Sequence, residues 1–290
     1  MEKITLLTKH RKAAALCSAL SGCGFKLCSE TGFDTDQLST FSGARSGATS
    51  LRGTALQKAK LGAELGNTRY GLGSEGSFGL DPFIELTPWN TEVLAWWDRV
   101  EQYAVYAFVQ GPETNFNRKF VDSVEEAERF VTQCKFPAHG VIIGKPGEVD
   151  YYQDLANTEQ MKDMLVRLLP QSAVWLETDM RAHRNPTRMR MIERCARRLA
   201  MNLRSACQVC SKAGFVAVAQ IPGAVCESCG AKTAAARAEL FNCLSCGHEE
   251  ERKLSSLAPA SRCDHCTPVK RRPRISAPRR RDSPRVLPLR

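Results

Sequence analysis

The chain has no long apolar run. No stretch of its 290 residues approaches the roughly 18 to 20 consecutive apolar residues of a spanning helix, so no membrane partner is expected. No export leader is expected either: acidic Glu2 precedes a short Ile4–Leu7 run, and a basic cluster comes directly after that run. A cytoplasmic protein with reduced thiols is the expectation. Acids are nearly missing from the far end, where residues 269–290 set nine Lys and Arg against the single acid Asp282. That segment carries most of the net charge of +10, and the preceding residues are close to neutral. Its Pro/Arg-rich composition cannot bury enough surface to fold, so a disordered basic tail is expected. Such a tail can hold nucleic acid or another anionic surface by charge.

A dinucleotide site is excluded by a different absence. Gly71, Gly73 and Gly76 satisfy G-x-G-x-x-G, but the next residues are Ser77-Phe78-Gly79-Leu80-Asp81-Pro82, a poor way to open the helix that such a phosphate site requires.

Cysteine, by contrast, is abundant. Eight of thirteen fall into Cys-x-x-Cys pairs: Cys207/Cys210, Cys226/Cys229, Cys243/Cys246 and Cys263/Cys266. Such a turn points two thiolates at one ion, and two turns complete a closed tetrahedral site with no open position for substrate. Two structural zinc ions are therefore expected. A disulfide framework does not suit reduced thiols, and a redox dithiol needs one such motif, not four in series. Gly230 and Gly247 come directly after two of the knuckles, where glycine permits the positive-φ turn. Sequential pairing of the knuckles is simplest, and a nested arrangement with the middle two forming one ribbon fits almost as well. His248 and His265 are surplus to two four-thiolate sites. Cys17, Cys23, Cys28, Cys134 and Cys195 read as small hydrophobes.

Residues 1–203 alternate strand and helix signals. Ile4–Leu7 reads as a strand and residues 11–21 as a helix, whereas Thr31–Gly53 is too polar and broken for regular structure. Ala55–Leu65 has helical composition, and residues 70–79 read as a strand ending in a glycine-rich turn. Glu92–Trp97 and Tyr103–Val109 read as a hairpin. Ser123–Thr132 is a helix with Asp122 or Ser123 as cap and Glu126 in reach of a capping box. Residues 140–144 and 173–176 are short strands, and Asn185-Pro186 opens a helix that leads into the first knuckle. The four tryptophans, Trp89, Trp96, Trp97 and Trp175, are expected to pack the core. The whole is an α/β (or α+β) domain with a mixed sheet over 1–203, a double zinc-ribbon-like module over 204–268, and the tail over 269–290.

Three polar clusters are candidate site elements. Thr8-Lys9-His10-Arg11-Lys12 lies just past the first strand, where cations and amides can meet a phosphate. Asp34 and Asp36 in the polar loop, with Glu75 in the glycine-rich turn, are of the type that holds Mg²⁺ when phosphates complete its shell. The third cluster, around Glu177, Asp179, Arg181, His183 and Arg188, sits at a strand–helix junction.

T-K-H-R-K, F-D-T-D-Q, G-S-E-G-S-F-G, W-L-E-T-D-M-R-A-H-R-N-P-T-R-M and the Cys-x-x-Cys series together resemble a bacterial family, domain of unknown function 6671, over roughly residues 4–268. A further resemblance is to the inosine/xanthosine triphosphate pyrophosphatases, whose strand then T-N-P-x-K start is similar to Thr8–Lys12. Their A-x-x-K-A helix and E-G-G turn are similar to Ala55–Ala59 and Glu75-Gly76, with Lys9 and Ser77 as departures. That likeness implies a phosphate-gripping role for Lys12 and a Mg²⁺-binding role for Glu75. On a Mg²⁺-dependent phosphohydrolase reading, Asp34 or Asp36 would join Glu75 as metal ligands. Glu177 or Asp179 would then activate water, and Thr8, Arg181, His183 and Arg188 would contact the nucleotide or other phosphorylated ligand. The alternatives are a nucleic-acid- or protein-binding module built on the zinc ribbons and tail, and a scaffolding role. The oligomeric state is open at this level.

Overall fold

A computed structural model describes residues 1–33, 47–145 and 151–267. Asp34, Asp36 and the basic segment 269–290 lie outside the described residues. The chain divides into two compact units, Met1–Leu203 and Arg204–Arg290.

The described residues of the first unit form two sheets. In the larger, β1 (Glu2–Leu7) lies between β2 (Phe25–Glu30) and β3 (Tyr70–Leu80), parallel to both. The sheet continues antiparallel through β4 (Pro88–Asp98) and β5 (Tyr103–Gly111), giving the order β2-β1-β3-β4-β5. The helix α1 (Ala13–Ser21) connects β1 to β2, and α2 (Gly47–Leu65) lies between β2 and β3 in sequence. Strand order therefore reverses at β1, and the carboxyl ends of parallel strands at such a switch point are where open α/β sheets leave a crevice.

Two features of this sheet differ from the sequence expectation. Residues 70–80 form one continuous strand, so Glu75 lies in a strand and not in a turn. The glycines serve packing: a Cβ on Gly71 would sit 1.8 Å from the Ala59 carbonyl oxygen, and one on Gly73 1.8 Å from that of Ala55. They let α2 lie almost backbone to backbone on β3, with Ala55, Ala59 and Ala63 fully buried at four-residue spacing. That docking also extends the helix back to Gly47, into the stretch expected to be irregular. On β4, Val93, Ala95 and Trp97 join the α2 core, while Asn90, Glu92, Leu94 and Trp96 occupy the opposite face. Trp96 and Trp97 are buried as expected, whereas Trp89 and Trp175 are only half-buried.

The smaller sheet is antiparallel, in the order β6 (Arg118–Val121), β9 (Val174–Thr178), β7 (Val141–Gly144), β8 (Tyr151–Tyr152). Its core is completed by α3 (Val124–Gln133) and α4 (Thr158–Leu168), through Phe130, Val131, Met161 and Leu165 against Ile143 and Leu176. The α3 cap is the expected one: the Ser123 hydroxyl accepts the Glu126 N–H at 3.3 Å, and Glu126 reaches back to the Asp122 N–H at 3.4 Å. The last helix, α5 (Pro186–Arg204), starts under the Asn185 side chain, which accepts the Arg188 N–H at 3.0 Å. It packs on the Glu92 face of the larger sheet, where the Cys195 thiol meets the carbonyls of Glu92 and Ala107.

The second unit is a three-stranded antiparallel sheet, β10 (Val216–Pro222), β11 (Ala236–Asn242) and β12 (Glu249–Lys253), with a knuckle before, between and after the strands. Among its described residues the buried apolar cluster is small, formed by Phe215 with Cys207 and Cys243, and Phe241 packs against it. No described helix is long and apolar enough to cross a membrane.

Candidate functional site

In the second unit the cysteines gather as Cys207, Cys210, Cys243, Cys246 and as Cys226, Cys229, Cys263, Cys266, with the four sulfurs of each set within 4.8 Å of one another. Each set can coordinate a metal ion. The pairing is first knuckle with third and second with fourth, which is neither the sequential nor the nested arrangement. The cause is strand parity. Each strand runs the length of the sheet, so successive knuckles fall at opposite ends, and odd and even knuckles collect separately. The residue after the second cysteine is left-handed in three knuckles, at Ser211 (φ 59°), Gly230 (φ 72°) and Gly247 (φ 74°). In the first knuckle the Val209 N–H points at the Cys207 sulfur at 3.4 Å.

In the first unit, charged side chains converge just beyond the carboxyl end of β1. β3 pairs with β1 only as far as Leu72, so Ser74 projects past the end of its neighbour. Lys12 occupies the vacated edge. Its Nζ donates to the Ser74 carbonyl at 3.3 Å and to the Ser74 hydroxyl at 3.1 Å, and the residue is 5% exposed. On the α2 face Lys58 pairs with Glu75 at 2.5 Å. On the α5 face Arg188 pairs with Glu92 at 2.8 Å, donates to the Met180 carbonyl, and lies over the Phe78 ring at 4.8 Å. Gly76 leaves the room for that pair, since a Cβ there would be 2.6 Å from an Arg188 nitrogen and 2.7 Å from a Glu92 oxygen.

Among the described residues the cluster holds three cations and two carboxylates. Each carboxylate is engaged by another cation, so Lys12 is left with neutral acceptors. Burial lowers its pKa from the ordinary 10.5 to about 7; Arg188 and Lys58 push the same way, against Glu92 and Glu75. Burial alone would raise the Glu75 carboxyl, but the charge and hydrogen bond of Lys58, then Lys12, hold it below its ordinary range. Glu92 keeps one carboxylate oxygen, Oε2, buried without a hydrogen-bond partner among the described residues.

The depressed Lys12 pKa has a stability consequence. Between about pH 7 and pH 10.5 the unfolded chain holds a proton that the folded chain has shed, so this residue makes stability rise with pH across that window. Its penalty is complete below pH 7 and gone above 10.5. Lys12→Met is therefore expected to stabilise the first unit most at pH 6, with the gain shrinking steadily towards pH 10.5. Urea unfolding followed by tryptophan fluorescence reads this unit alone, because all four tryptophans lie before residue 204. A gain independent of pH would show that Lys12 keeps its ordinary pKa.

The first and third polar clusters meet here: the rings of His10 and His183 stack at 5.5 Å with an interplanar angle of 17°. Burial and Arg181 lower the His183 pKa. Thr8 is buried, and its hydroxyl organises the loop by accepting the His10 N–H at 3.2 Å. Asp179 is fully buried and wrapped by Arg181, which contacts it from Nε at 3.0 Å and Nη2 at 2.6 Å and also reaches Asp154 at 2.7 Å. Asp179 thus orients Arg181. Glu177 lies in the smaller sheet beside Arg118, at 3.6 Å; burial, opposed by Arg118, raises its carboxyl pKa. Glu177 is thus engaged by Arg118 across the smaller sheet and not by the cations around Lys12. Lys58, Ser74 and Glu92 were not among the sequence candidates. Their signals were a lysine on the alanine-lined face of α2 and an acid at an inward position of β4.

The chain matches the family described as Domain of unknown function (DUF6671) over residues 58–268, most of its length, and it belongs to that family. The matched span includes Lys58, Glu75, Glu92, Arg188 and all eight knuckle cysteines, and it leaves Thr8–Lys12 outside. No curated protein matches the chain, so the pyrophosphatase likeness gains no support there.

Proposed function

We propose that this member of the DUF6671 family holds two structural zinc ions in its second unit and binds a phosphorylated small molecule of the nucleotide class at the end of β1, as a magnesium-dependent phosphohydrolase. The observation that carries the ligand class is the excess of buried cations: Lys12, Lys58 and Arg188 against Glu75 and Glu92, at the switch point of the sheet. An incoming phosphate supplies the anion that Lys12 lacks and restores its proton. His10, His183 and Arg181 border the same loops and add nitrogen donors to the rim. Magnesium arriving with the phosphates would neutralise charge on the transferred group. Glu92 Oε2 offers an unspent acceptor, and Glu75 becomes one when Lys58 turns to the phosphate.

Support for zinc comes from sulfur spacing. Cross-knuckle Sγ pairs lie at 3.7 Å (Cys207–Cys246), 3.6 Å (Cys210–Cys243), 3.7 Å (Cys226–Cys266) and 3.6 Å (Cys229–Cys263). A tetrahedron with Zn–S bonds of about 2.3 Å has edges of about 3.8 Å, whereas a disulfide is about 2.05 Å long.

The test is turnover of a nucleoside triphosphate panel, inosine and xanthosine triphosphates included, with and without Mg²⁺, in protein of verified zinc content. Lys12→Ala and Glu75→Gln are expected to lose metal-dependent pyrophosphate release with zinc unchanged. Folded, zinc-loaded protein that neither turns over nor binds any of the panel sinks the proposal. The basic segment 269–290 favours a second reading, in which the chain holds nucleic acid by charge. That binding would fall steeply with salt and disappear when the segment is deleted.

A further inference from the structure

The end of β3 and the loop that leads to β4 present apolar side chains to solvent: Leu80, Phe83, Ile84 and Leu86 are between 59% and 76% exposed. The same loop is held in one shape from within. The buried Asp81 carboxylate accepts the N–H groups of Phe83 at 3.1 Å, Ile84 at 2.8 Å, Leu86 at 3.0 Å and Thr87 at 3.2 Å. The Asp81 N–H donates to the Thr87 carbonyl at 2.8 Å, which closes the loop. Glu85 is held at φ 56°, a left-handed conformation unfavourable for a residue with a side chain. A buried acid thus fixes a hydrophobic tip. Groups fixed in advance lose little freedom on association, so a rigid, uncovered apolar tip has the makings of a docking anchor.

Directly beside the tip lies a groove of about 520 Å³. The two share a border, because Pro88, which pairs with Leu80 at the base of the loop, is also a wall of the groove. Pro112 and Phe116 add apolar surface to it, and the Phe116 ring lies 6.2 Å from that of Phe78 on β3. Its walls carry one acid and one cation. The acid, Glu113, is held by Arg194 at 3.1 Å, whereas the cation, Lys135, stands exposed at the turn after α3. The exposed charge on the tip is Glu85. Tip and groove are therefore complementary in form and in charge, and they are neighbours on one surface. That is the arrangement a twofold contact needs, since in such a contact one patch must meet its own copy.

We propose that two copies of this chain pair about a twofold axis, each seating Phe83, Ile84 and Leu86 in the other's groove, with Glu85 against the partner's Lys135. A specific interface buries roughly 1,200–2,000 Å² in total, and here both tips and both grooves contribute to it. A lipid surface suits the tip less well, because anionic headgroups repel its exposed acid.

Sedimentation velocity of full-length, zinc-loaded protein over a dilution series is expected to show a monomer–dimer equilibrium at micromolar concentrations. Phe83→Asp should raise the dimer Kd by at least about a hundredfold, because a twofold contact loses the anchor twice. Its urea midpoint should stay close to that of the unsubstituted chain, since the position is exposed. Glu85→Lys and Lys135→Glu should each weaken self-association by about tenfold or more. An equimolar mixture of these two variants should recover it as a heterodimer, because both tip-to-groove contacts then set a lysine against a glutamate. Mixing cannot rescue a variant that has failed to fold, so recovery reports on the contact itself. A chain that stays monomeric throughout the series, a dimer indifferent to Phe83→Asp, or a mixture no tighter than its parts overturns the pairing. So does a monomer that sediments with lipid vesicles through the same tip. Lys12→Met should leave the dimer intact, which separates this contact from the phosphate site.

Discussion

Cys207→Ser combined with Cys243→Ser is expected to remove one metal equivalent of two, whereas Cys207→Ser combined with Cys226→Ser removes both. The interleaved clusters make this so, since the first pair of substitutions falls on one set of four and the second pair on both. Sequential pairing reverses the two outcomes, and nested pairing costs both ions in either case. Native mass spectrometry of zinc-loaded protein counts the ions directly. The effect on folding is expected to be large. Structural zinc contributes roughly 10–16 kcal/mol in small zinc domains near neutral pH. The apolar cluster around Phe215 is worth only a few kcal/mol by its burial. A chelator or the two-site variant should therefore abolish the strand signature of the second unit and expose its backbone amides to exchange. The tryptophan fluorescence of the first unit should stay native in the same sample. Retention of exchange protection in 216–253 after both ions have gone would show that the sheet stands without metal.

Glu92→Ala is expected to destabilise the first unit by about 3–5 kcal/mol, the usual cost of stranding one member of a buried ion pair. Side-chain exposures of 1% for Glu92 and 8% for Arg188 leave no solvent to take over. The stranded charge also has company, because Lys12 is lowered by Arg188 and loses in Glu92 an acid that opposes that effect. Arg188→Met removes the other partner and should cost less, since Glu92 then retains Lys12 nearby, whose pKa should rise. The double variant Glu92→Leu with Arg188→Met, close in volume, should fall within about 1–2 kcal/mol of the unsubstituted chain, as replaced buried pairs often do. Urea unfolding followed by tryptophan fluorescence gives all three numbers. Equal costs for the two single substitutions would remove Lys12 from the account of the cluster.

What could be read in the residues alone was local. A Cys-x-x-Cys turn carries its chemistry within four residues, so the metal-binding capacity was legible from spacing. The Asn185 and Ser123 caps are likewise short-range hydrogen bonds, and the helices they open lie where the caps placed them. The hairpin of β4 and β5 declared itself through two β-prone runs separated by charge. Legibility ended where a residue's role depended on a distant neighbour. The glycines of residues 71–79 have the composition of a turn and became a strand, because α2 fills the space at Gly71 and Gly73 and the Arg188–Glu92 pair fills it at Gly76. Lys12, Arg188 and Glu75 were legible as charged residues at element ends, but which acids met which cations was decided by the sheet order. Lys58 and Glu92 come from the middle of a helix and a strand, where the alanine-lined face and the inward register mark burial but not the partner each charge meets. Knuckle pairing is the clearest case. The amino-acid sequence determined that four two-thiolate turns exist, and only the three strands between them, each reversing the chain, decided which turns share an ion.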